Sequence, residues 1–238
     1  MTVLDVDTPH GPARVHLHEA QAQPGPRGRA RTRPRPLGAA RAALMLGHGA
    51  GGGVGSRDLT KVTAIAGEAG IAVALVEQPY RVAGRRSPAP AAQLDTAWLA
   101  VVERLRGREL RDLPLIVGGR SSGARVACRT AADSGAIAVL CLAFPVHPPG
   151  RPEKTRLPEL AAVKLPTLIV QGASDPFGMP PKARNRKVVT VAGNHSLSSD
   201  LGALGDAVGA WLARLLGARA AISKSSGWTP DAERSDRA

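Results

Sequence analysis

The chain is poor in aromatic residues and lacks the motifs that hold metals or nucleotide phosphates. Phe, Tyr and Trp make up 3% of its 238 residues, too few to build the aromatic surfaces on which proteins stack single-stranded nucleic acids. Neither zinc-type ligand spacing nor a Gly-x-x-x-x-Gly-Lys loop occurs in the sequence. His16 and His18 share one face of a predicted strand without a third ligand nearby, so an exposed strand face is the favoured interpretation. We therefore expect no metal and no other cofactor.

Cysteines and long apolar runs are also scarce. The two cysteines, Cys128 and Cys141, both lie in apolar segments, which predicts buried free thiols rather than the disulfide framework of a secreted protein. The first residues lack the basic and apolar regions of a signal peptide. No apolar run approaches the roughly 20 residues that span a bilayer. We expect a cytoplasmic protein with no membrane association.

Acidic residues are outnumbered by basic ones. The 32 Lys and Arg against 19 Asp and Glu give a net charge of +13, a balance shared by proteins that bind nucleic acids. Most of the excess is arginine beside many alanines, glycines and prolines, and the usage of a GC-rich genome is the favoured explanation. Arginines alternate between Gln23 and Leu37 without a hydrophobic period, which predicts a mobile, solvated loop. Binding of nucleic acid or another acidic partner there is the disfavoured alternative.

From residue 42 onward, apolar runs typical of strands alternate with segments of helical periodicity. This alternation predicts an α/β fold with a mostly parallel, doubly wound sheet, and two earlier strands predict an N-terminal antiparallel hairpin. We expect one domain over 1–217 with little or no cap, because the segment from Pro148 to Leu165 is short, and a disordered tail over 218–238. The expected strands are 2–7, 13–18, 42–47, 72–77, 114–118, 137–143, 167–171 and 187–191, and the expected helices are 58–69, 91–106, 122–133, 152–163 and 200–216.

A serine stands at one of the strand-to-helix corners. Ser121 occupies the centre of GRSSG at 119–123, directly after an apolar run and before a helical segment. A serine on such a sharp turn has a strained backbone, and small residues two positions to either side prevent a collision with the neighbouring backbone. Ser121 is therefore the candidate nucleophile.

An acid and a base follow in the chain order of an α/β-hydrolase. Asp175 comes after the apolar run 168–170, and His195 comes after the run 188–191. We expect both beside Ser121, because ligands of open α/β sheets bind at the carboxyl ends of the strands. His195 is the predicted base and Asp175 the group that orients its imidazole. His147 precedes the acid, so it is the disfavoured base and a candidate for the pocket lining.

A glycine-rich loop, HGAGGG at 48–53, follows the strand near 42–47. Acyl transfer requires backbone N–H donors aimed at the developing oxyanion, and glycines let a backbone approach the substrate closely. The amides of Ala50 and Ser122 are the predicted donors, with Gly51 as the alternative in the loop. His48 is interpreted as a structural member of this loop that also borders the substrate site.

These motifs carry a family resemblance. LGHGAGG at 46–52 and GGRSSGAR at 118–125 are similar to motifs of the dienelactone-hydrolase-like group of the α/β-hydrolase superfamily. The stretch from about Ala42 to Leu216 most closely resembles the branch with the hydrolase-like domain of the third subunit of the NSL chromatin complex and its short testis-expressed relatives. The resemblance implies the fold and a serine-hydrolase site. It does not imply the dienelactone reaction, because the candidate nucleophile is serine where dienelactone hydrolases proper have cysteine.

The sequence thus predicts a serine hydrolase of carboxylesterase or thioesterase type that forms a covalent acyl-enzyme on a small-molecule acyl substrate. Tyr80, Arg81 and Arg120 are candidate substrate-binding residues, and the arginines favour an anionic ester or thioester. An ion pair between Arg120 and a carboxylate such as Glu77 is the alternative to that substrate contact. The alternative function is a catalytically silent interaction module, since a fold does not determine a function.

Overall fold

Strands and helices alternate along most of the chain in the computed structural model, which describes residues 1–21 and 40–225. The strands are β1 Thr2–Val6, β2 Ala13–His18, β3 Ala42–Gly47, β4 Ile71–Glu77, β5 Leu115–Arg120, β6 Ala138–Leu142, β7 Thr167–Gly172 and β8 Arg186–Val191. The helices are α1 Arg57–Glu68, α2 Pro79–Val82, α3 Ala91–Gly107, α4 Ser122–Arg129, α5 Leu157–Ala162 and α6 Leu201–Ser225.

All of these strands form a single eight-stranded sheet in the order β1-β2-β4-β3-β5-β6-β7-β8. β1 and β2 form an antiparallel hairpin, and β2 also runs antiparallel to β4. The remaining pairings are parallel. The predicted α/β fold, with a hairpin in front of a mostly parallel sheet, is confirmed.

Helices cover both faces of the parallel strands, which is why those strands read as continuous apolar runs. On one face, Trp98 of α3 and Leu160 of α5 are fully buried in the core. On the other face, Leu59 of α1 packs together with α6, where Trp211 is 7% exposed and lies in the core as predicted. Because both faces are covered, the loops at the ends of the strands are left as the place for a site.

Three helices, α4, α5 and α6, begin or end several residues away from the predicted position. α4 stops at Arg129 instead of near residue 133, and α5 begins at Leu157 instead of near residue 152. A proline in the first turn of α5, Pro158, favours a start there because its fixed φ suits a helix only at that end. The short helix α2, absent from the prediction, begins with Pro79 in the same way.

Helix α6 continues to Ser225, although the disordered tail is predicted from residue 218. The segment GARAAI at 217–222 is rich in alanine and arginine, which favour helix. Among the described residues, α6 is the one helix long and apolar enough to cross a bilayer, over Leu201–Ala218. Leu204 and Leu212 are fully buried in the core, so the helix packs against the interior of the domain. The predicted loop at 23–37 and the end of the tail lie outside the described residues.

Candidate active site

Four loops at one edge of the sheet hold the predicted site residues. Ser121 follows β5, Asp175 follows β7, His195 follows β8, and the glycine-rich loop 48–53 follows β3. Because β3, β5, β6, β7 and β8 are parallel neighbours, their carboxyl ends lie along the same edge, where open α/β sheets bind ligands.

Ser121 lies on a strained turn. Its φ is 51° and its ψ is −106°, a conformation that costs a non-glycine residue about 1–3 kcal/mol. Its N–H donates to the Leu142 oxygen at 2.9 Å, which ties the turn to β6. A Cβ at Gly119 would lie 2.5 Å from the Gly47 oxygen, and a Cβ at Gly123 would collide with the same oxygen. Both glycines are therefore needed for α4 to pack against β3.

Ser121, His195 and Asp175 form one line of hydrogen bonds. Nε2 of His195 lies 2.9 Å from Oγ of Ser121, and Nδ1 of His195 lies 2.8 Å from Oδ2 of Asp175. A carboxylate only accepts hydrogen bonds, so Nδ1 carries the proton and Nε2 is free to accept from the serine hydroxyl. An imidazole in this tautomer can take the hydroxyl proton while the serine oxygen attacks a carbonyl.

The Asp175 carboxylate is held by its own loop. Its side chain is 1% exposed, and Oδ2 accepts a second hydrogen bond from Nε2 of Gln171 at 2.8 Å. Oδ1 accepts from the N–H of Phe177 at 2.9 Å. The Phe177 ring stacks on the imidazole of His195, with the ring centroids 4.0 Å apart. These contacts fix the carboxylate and cover one face of the imidazole.

His147 packs against the loop that carries the acid. Its Nδ1 donates to the Pro148 oxygen at 2.8 Å, and its backbone N–H donates to the Phe177 oxygen at 3.1 Å. A Cβ at Gly178 would lie 2.7 Å from Nε2 of His147. His147 thus supports the acid loop, and a different imidazole contacts the candidate nucleophile.

Two ring side chains anchor the glycine-rich loop. Nδ1 of the buried His48 donates to the Gly49 oxygen at 2.7 Å, while Nε2 accepts from the N–H of Gln78 at 3.1 Å. The Tyr80 hydroxyl donates to the Ala50 oxygen at 2.9 Å. Burial lowers the pKa of His48, which favours the neutral imidazole that this pair of bonds requires. The polar atoms of His48 and Tyr80 are therefore engaged with the backbone around the loop.

These carbonyl bonds also set the direction of the loop amides. The C=O and N–H of a trans peptide point in opposite directions, and the described residues contain no cis peptide bond. Anchoring the Gly49 oxygen therefore orients the N–H of Ala50, and anchoring the Ala50 oxygen orients the N–H of Gly51. A Cβ at Gly49 would lie 3.7 Å from Cβ of Ser121, so the loop is next to the serine. Ser122 is the first residue of α4, and an N–H at this position has no partner within its helix.

Arg120 points beneath the glycine-rich loop. Its Nε lies 2.9 Å from Oδ2 of Asp58, whose side chain is 1% exposed in the first turn of α1. Its Nη2 donates to the backbone oxygen of His195 at 3.1 Å. The predicted alternative of an ion pair is thus what the structure contains, but the partner is Asp58 and not Glu77. Glu77 instead lies 3.5 Å from the imidazole of His16.

Arg81 lies on α2, near the glycine-rich loop. Its Nη1 is 3.4 Å from the Arg85 oxygen, and its charge adds to burial in lowering the pKa of His48. No carboxylate of the described residues forms an ion pair with Arg81. Within residues 1–21 and 40–225, no three His, Cys, Asp or Glu side chains are grouped so that they could hold a metal ion.

Three residues of this site, Asp58, Gln171 and Phe177, are not among those predicted from the sequence. Asp58 had a signal, because it is an acidic residue in the first turn of the helix that follows the glycine-rich loop. Gln171 is a polar residue that follows the apolar run 168–170 inside the fully buried strand β7, and a buried polar side chain needs partners. Phe177 gave no such signal, because only the folded loop brings its ring against His195.

Comparisons with known proteins agree with this fold. A family model described as an alpha/beta hydrolase domain matches residues 40–200. The fold is similar to Est1E from Butyrivibrio proteoclasticus, with 17% identity over 91% of this chain and 100% of that chain and a TM-score of 0.70. It is also similar to a serine hydrolase without a lid from Xanthomonas campestris, with 20% identity, 96% of each chain covered and a TM-score of 0.64.

A dienelactone hydrolase from Anabaena variabilis is a further structural relative, with 16% identity over 90% of this chain and 96% of that chain and a TM-score of 0.65. The family model confirms the predicted α/β-hydrolase superfamily, and the structural relatives agree with the fold of the predicted dienelactone-hydrolase-like group, while the narrower branch stays a prediction. Since the family model spans more than half of the chain, the protein belongs to the family of alpha/beta hydrolase domains.

Proposed function

We propose that this protein is a serine hydrolase that cleaves an ester, thioester or related acyl bond of a small molecule. The observation that carries the proposal is the line of hydrogen bonds from Ser121 through His195 to Asp175, with lengths of 2.9 and 2.8 Å. A domain that only binds partners has no chemical need for this alignment of nucleophile, base and acid. Membership in a hydrolase family supports the proposal.

The proposed reaction has two halves. Oγ of Ser121 attacks the acyl carbon while Nε2 of His195 takes the hydroxyl proton, and the imidazolium then protonates the leaving alcohol or thiol. Water then attacks the same carbon and gives a proton to Nε2 of His195. The bond between that carbon and Oγ of Ser121 breaks, Oγ takes the proton back from the imidazolium, and the acid is released. Asp175 stabilises the imidazolium in both halves, and its bonds from Gln171 and Phe177 keep it aligned.

We propose the amides of Ala50 and Ser122 as the donors to the oxyanion, with Gly51 as the alternative in the loop. One such donor contributes about 10²–10³-fold to kcat when it is oriented before the substrate arrives. The hydrogen bonds from His48 and Tyr80 to the loop carbonyls support this proposal, because they hold the loop amides in fixed directions without a substrate.

A site without a lid can accept a substrate that extends into solvent. The fully described segment between β6 and β7 contains one helix, α5, of 6 residues, too short to form a lid over Ser121. The Xanthomonas relative also lacks a lid, and Est1E has been solved with ferulic acid bound. We therefore include esters of aromatic acids among the candidate substrates. Since Arg120 is already paired, any preference for anionic acyl groups is proposed to depend on Arg81.

A panel of p-nitrophenyl esters, acyl thioesters and a feruloyl ester tests the proposal. We expect the wild-type chain to hydrolyse at least one of them and Ser121→Ala to lose at least about 10⁴-fold in kcat/KM. The matched control is Ser87→Ala, which removes an exposed hydroxyl elsewhere and should retain full activity. Equal background rates for the wild type and Ser121→Ala on every compound would favour the catalytically silent module.

The proposed compartment is the cytoplasm. Cys128 and Cys141 are buried, and their Sγ atoms are 3.5 Å apart without a bond between them. Two cysteines buried in apolar elements do not form the disulfide framework typical of small secreted proteins, which favours a reducing compartment. Thiol titration of protein isolated under non-reducing conditions checks this: a disulfide between the two residues in freshly isolated protein would argue for an oxidising compartment.

A further inference from the structure

One charged pair at the site is not used by the proposed chemistry. Arg120 is the last residue of β5 and directly precedes the candidate nucleophile, Ser121. Its Nε is 2.9 Å from Oδ2 of Asp58, and the two side chains are 18% and 1% exposed. A buried carboxylate is tolerated only when a partner compensates its charge. Asp58 therefore keeps the guanidinium beneath the loops, where it makes two further contacts.

The guanidinium touches two loops besides its own. Nη2 donates to the backbone oxygen of His195 at 3.1 Å, in the loop that carries the base. On the other side, a Cβ at Gly49 would lie 2.8 Å from Nη1, so the glycine-rich loop rests directly on the same group. One planar side chain thus lies between the loops that carry the nucleophile, the base and the oxyanion donors, and Asp58 connects it to α1.

We propose that Arg120, held by Asp58, is a positioning residue that sets the separation between Ser121 and the imidazole of His195 and supports the glycine-rich loop. This inference rests on the proposed function. Arginine suits the task because one planar group brings its charge to within 2.9 Å of Asp58 while its Nη2 donates to the His195 oxygen. A lysine ammonium in the same place keeps the charge but cannot reach Asp58 and the His195 oxygen with the same geometry.

The same contacts argue against Arg120 as the group that binds an anionic substrate. An incoming carboxylate would have to displace Asp58, which has almost no exposed surface and would be left as an uncompensated buried charge. A positioning residue acts on every substrate equally, whereas a substrate-binding arginine discriminates between anionic and neutral esters. The two roles therefore predict different kinetics.

The test compares Arg120→Lys and Arg120→Ala with the wild type on matched neutral and anionic esters. A displacement of reacting groups by about 1 Å lowers rates by about 100-fold, so we expect kcat of Arg120→Lys to fall by about 10–100-fold with KM nearly unchanged. The ratio of kcat/KM between anionic and neutral esters should stay at the wild-type value. Asp58→Asn should lower kcat in the same direction, because it releases the guanidinium.

A second arginine gives the matched control. Arg125 lies on α4 and forms a two-point ion pair with Glu159, with side chains 25% and 17% exposed. Arg125→Lys and Arg125→Ala weaken or remove an ion pair on the helix that follows Arg120, outside the site, so they should lower thermal stability and leave kcat close to wild type. Free guanidinium, at a concentration too low to unfold the protein, should restore part of the activity of Arg120→Ala. It should not change the activity of Arg125→Ala.

The outcomes separate the two proposals. Wild-type activity in Arg120→Lys, or a loss that matches that of Arg125→Lys, would overturn the positioning role while leaving the serine hydrolase proposal intact. A selective rise in KM for anionic esters would assign Arg120 to substrate binding instead. If the wild-type chain hydrolyses no ester above the rate of Ser121→Ala, the proposed function fails and this inference fails with it.

Discussion

The two ends of helix α4 are built in different ways. At the N-terminal end, Ser121 has a φ of 51°, glycines pack against β3, and the charge of Arg120 is enclosed under the loops. Toward the C-terminal end the backbone is regular, and Arg129 donates to Asp95 at 2.6 and 2.8 Å and to Glu159 at 3.3 Å. One end holds a strained nucleophile in place, and the other connects α4 to α3 and α5.

This difference predicts that changes at the N-terminal end of α4 lower activity, whereas changes toward its C-terminal end lower stability alone. Among the described residues, four non-glycine residues have a positive φ, and three of them, Ser121, Ala143 and Leu197, lie in the loops at the carboxyl ends of the strands. Strained backbone persists only where surrounding structure enforces it, and it concentrates at functional sites. Changes at the two ends of α4 should therefore have different effects, and the following variants test that separation.

The largest expected effect comes from Asp175→Asn. An amide in this place does not stabilise the imidazolium and favours the wrong tautomer of His195, so kcat should fall by up to about 10⁴-fold. The fold should survive, because the side chain keeps its size. The matched control is Asp95→Asn on α3, which weakens the ion pair with Arg129 at the regular end of α4 and should change kcat by less than about threefold. Comparable losses of activity in the two variants would contradict the separation.

Glu159→Gln should have the next largest effect, on stability. Glu159 accepts from both Arg125 and Arg129, and the change leaves two partly buried guanidinium groups with a weaker partner. We expect a loss of about 1–3 kcal/mol in the free energy of unfolding, measured by urea denaturation. Ester hydrolysis by the fraction that remains folded should stay within about twofold of wild type. A large loss of activity at unchanged stability would show that the regular end also supports the site.

Tyr80→Phe should have a smaller effect, confined to activity. The change removes only the hydroxyl that donates to the Ala50 oxygen at 2.9 Å, and a hydrogen bond of this kind contributes about 1 kcal/mol. Because the oxyanion donors are then less well oriented, kcat should fall about fivefold with KM unchanged. If KM rises and kcat does not change, Tyr80 contacts the substrate and does not act on the loop.

The smallest expected effect is a pH dependence of stability from His48. Burial lowers the pKa of His48 in the folded protein, whereas an unfolded histidine titrates at about 6.5. The unfolded state binds more protons between these two pKa values, so the stabilisation is complete above about pH 6.5 and is lost as the pH falls through the folded value. The urea midpoint should fall less between about pH 7.5 and about pH 5.5 in His48→Asn than in the wild type.

His18 provides a background for this measurement. Its pKa is also lowered by burial, and it is present in both proteins, so only the difference between them reports on His48. Equal declines in the wild type and His48→Asn would mean that His48 does not contribute through its neutral form.

The sequence predicted the sheet and the line from Ser121 to Asp175 because both depend on short, local patterns. Strands buried on both faces are apolar runs, and the residues that follow them lie at one edge whatever the packing above them. The pairing of Arg120 with Asp58 could not be predicted in this way, because the end of β5 and the first turn of α1 are far apart in sequence and meet only in the folded chain. The same reasoning also could not show that Tyr80 bonds to the glycine-rich loop, since the direction of a side chain from a short helix depends on tertiary packing.

The most direct test of the central proposal is labelling with a fluorophosphonate, which phosphonylates a serine only when a neighbouring base has activated it. We expect stoichiometric labelling of the wild-type protein, an adduct that peptide mass mapping assigns to Ser121, and no labelling of Ser121→Ala. Ser87→Ala should be labelled at the wild-type rate. The absence of labelling in well-folded wild-type protein, or an adduct on another serine that persists in Ser121→Ala, would contradict the proposal that Ser121 is the nucleophile.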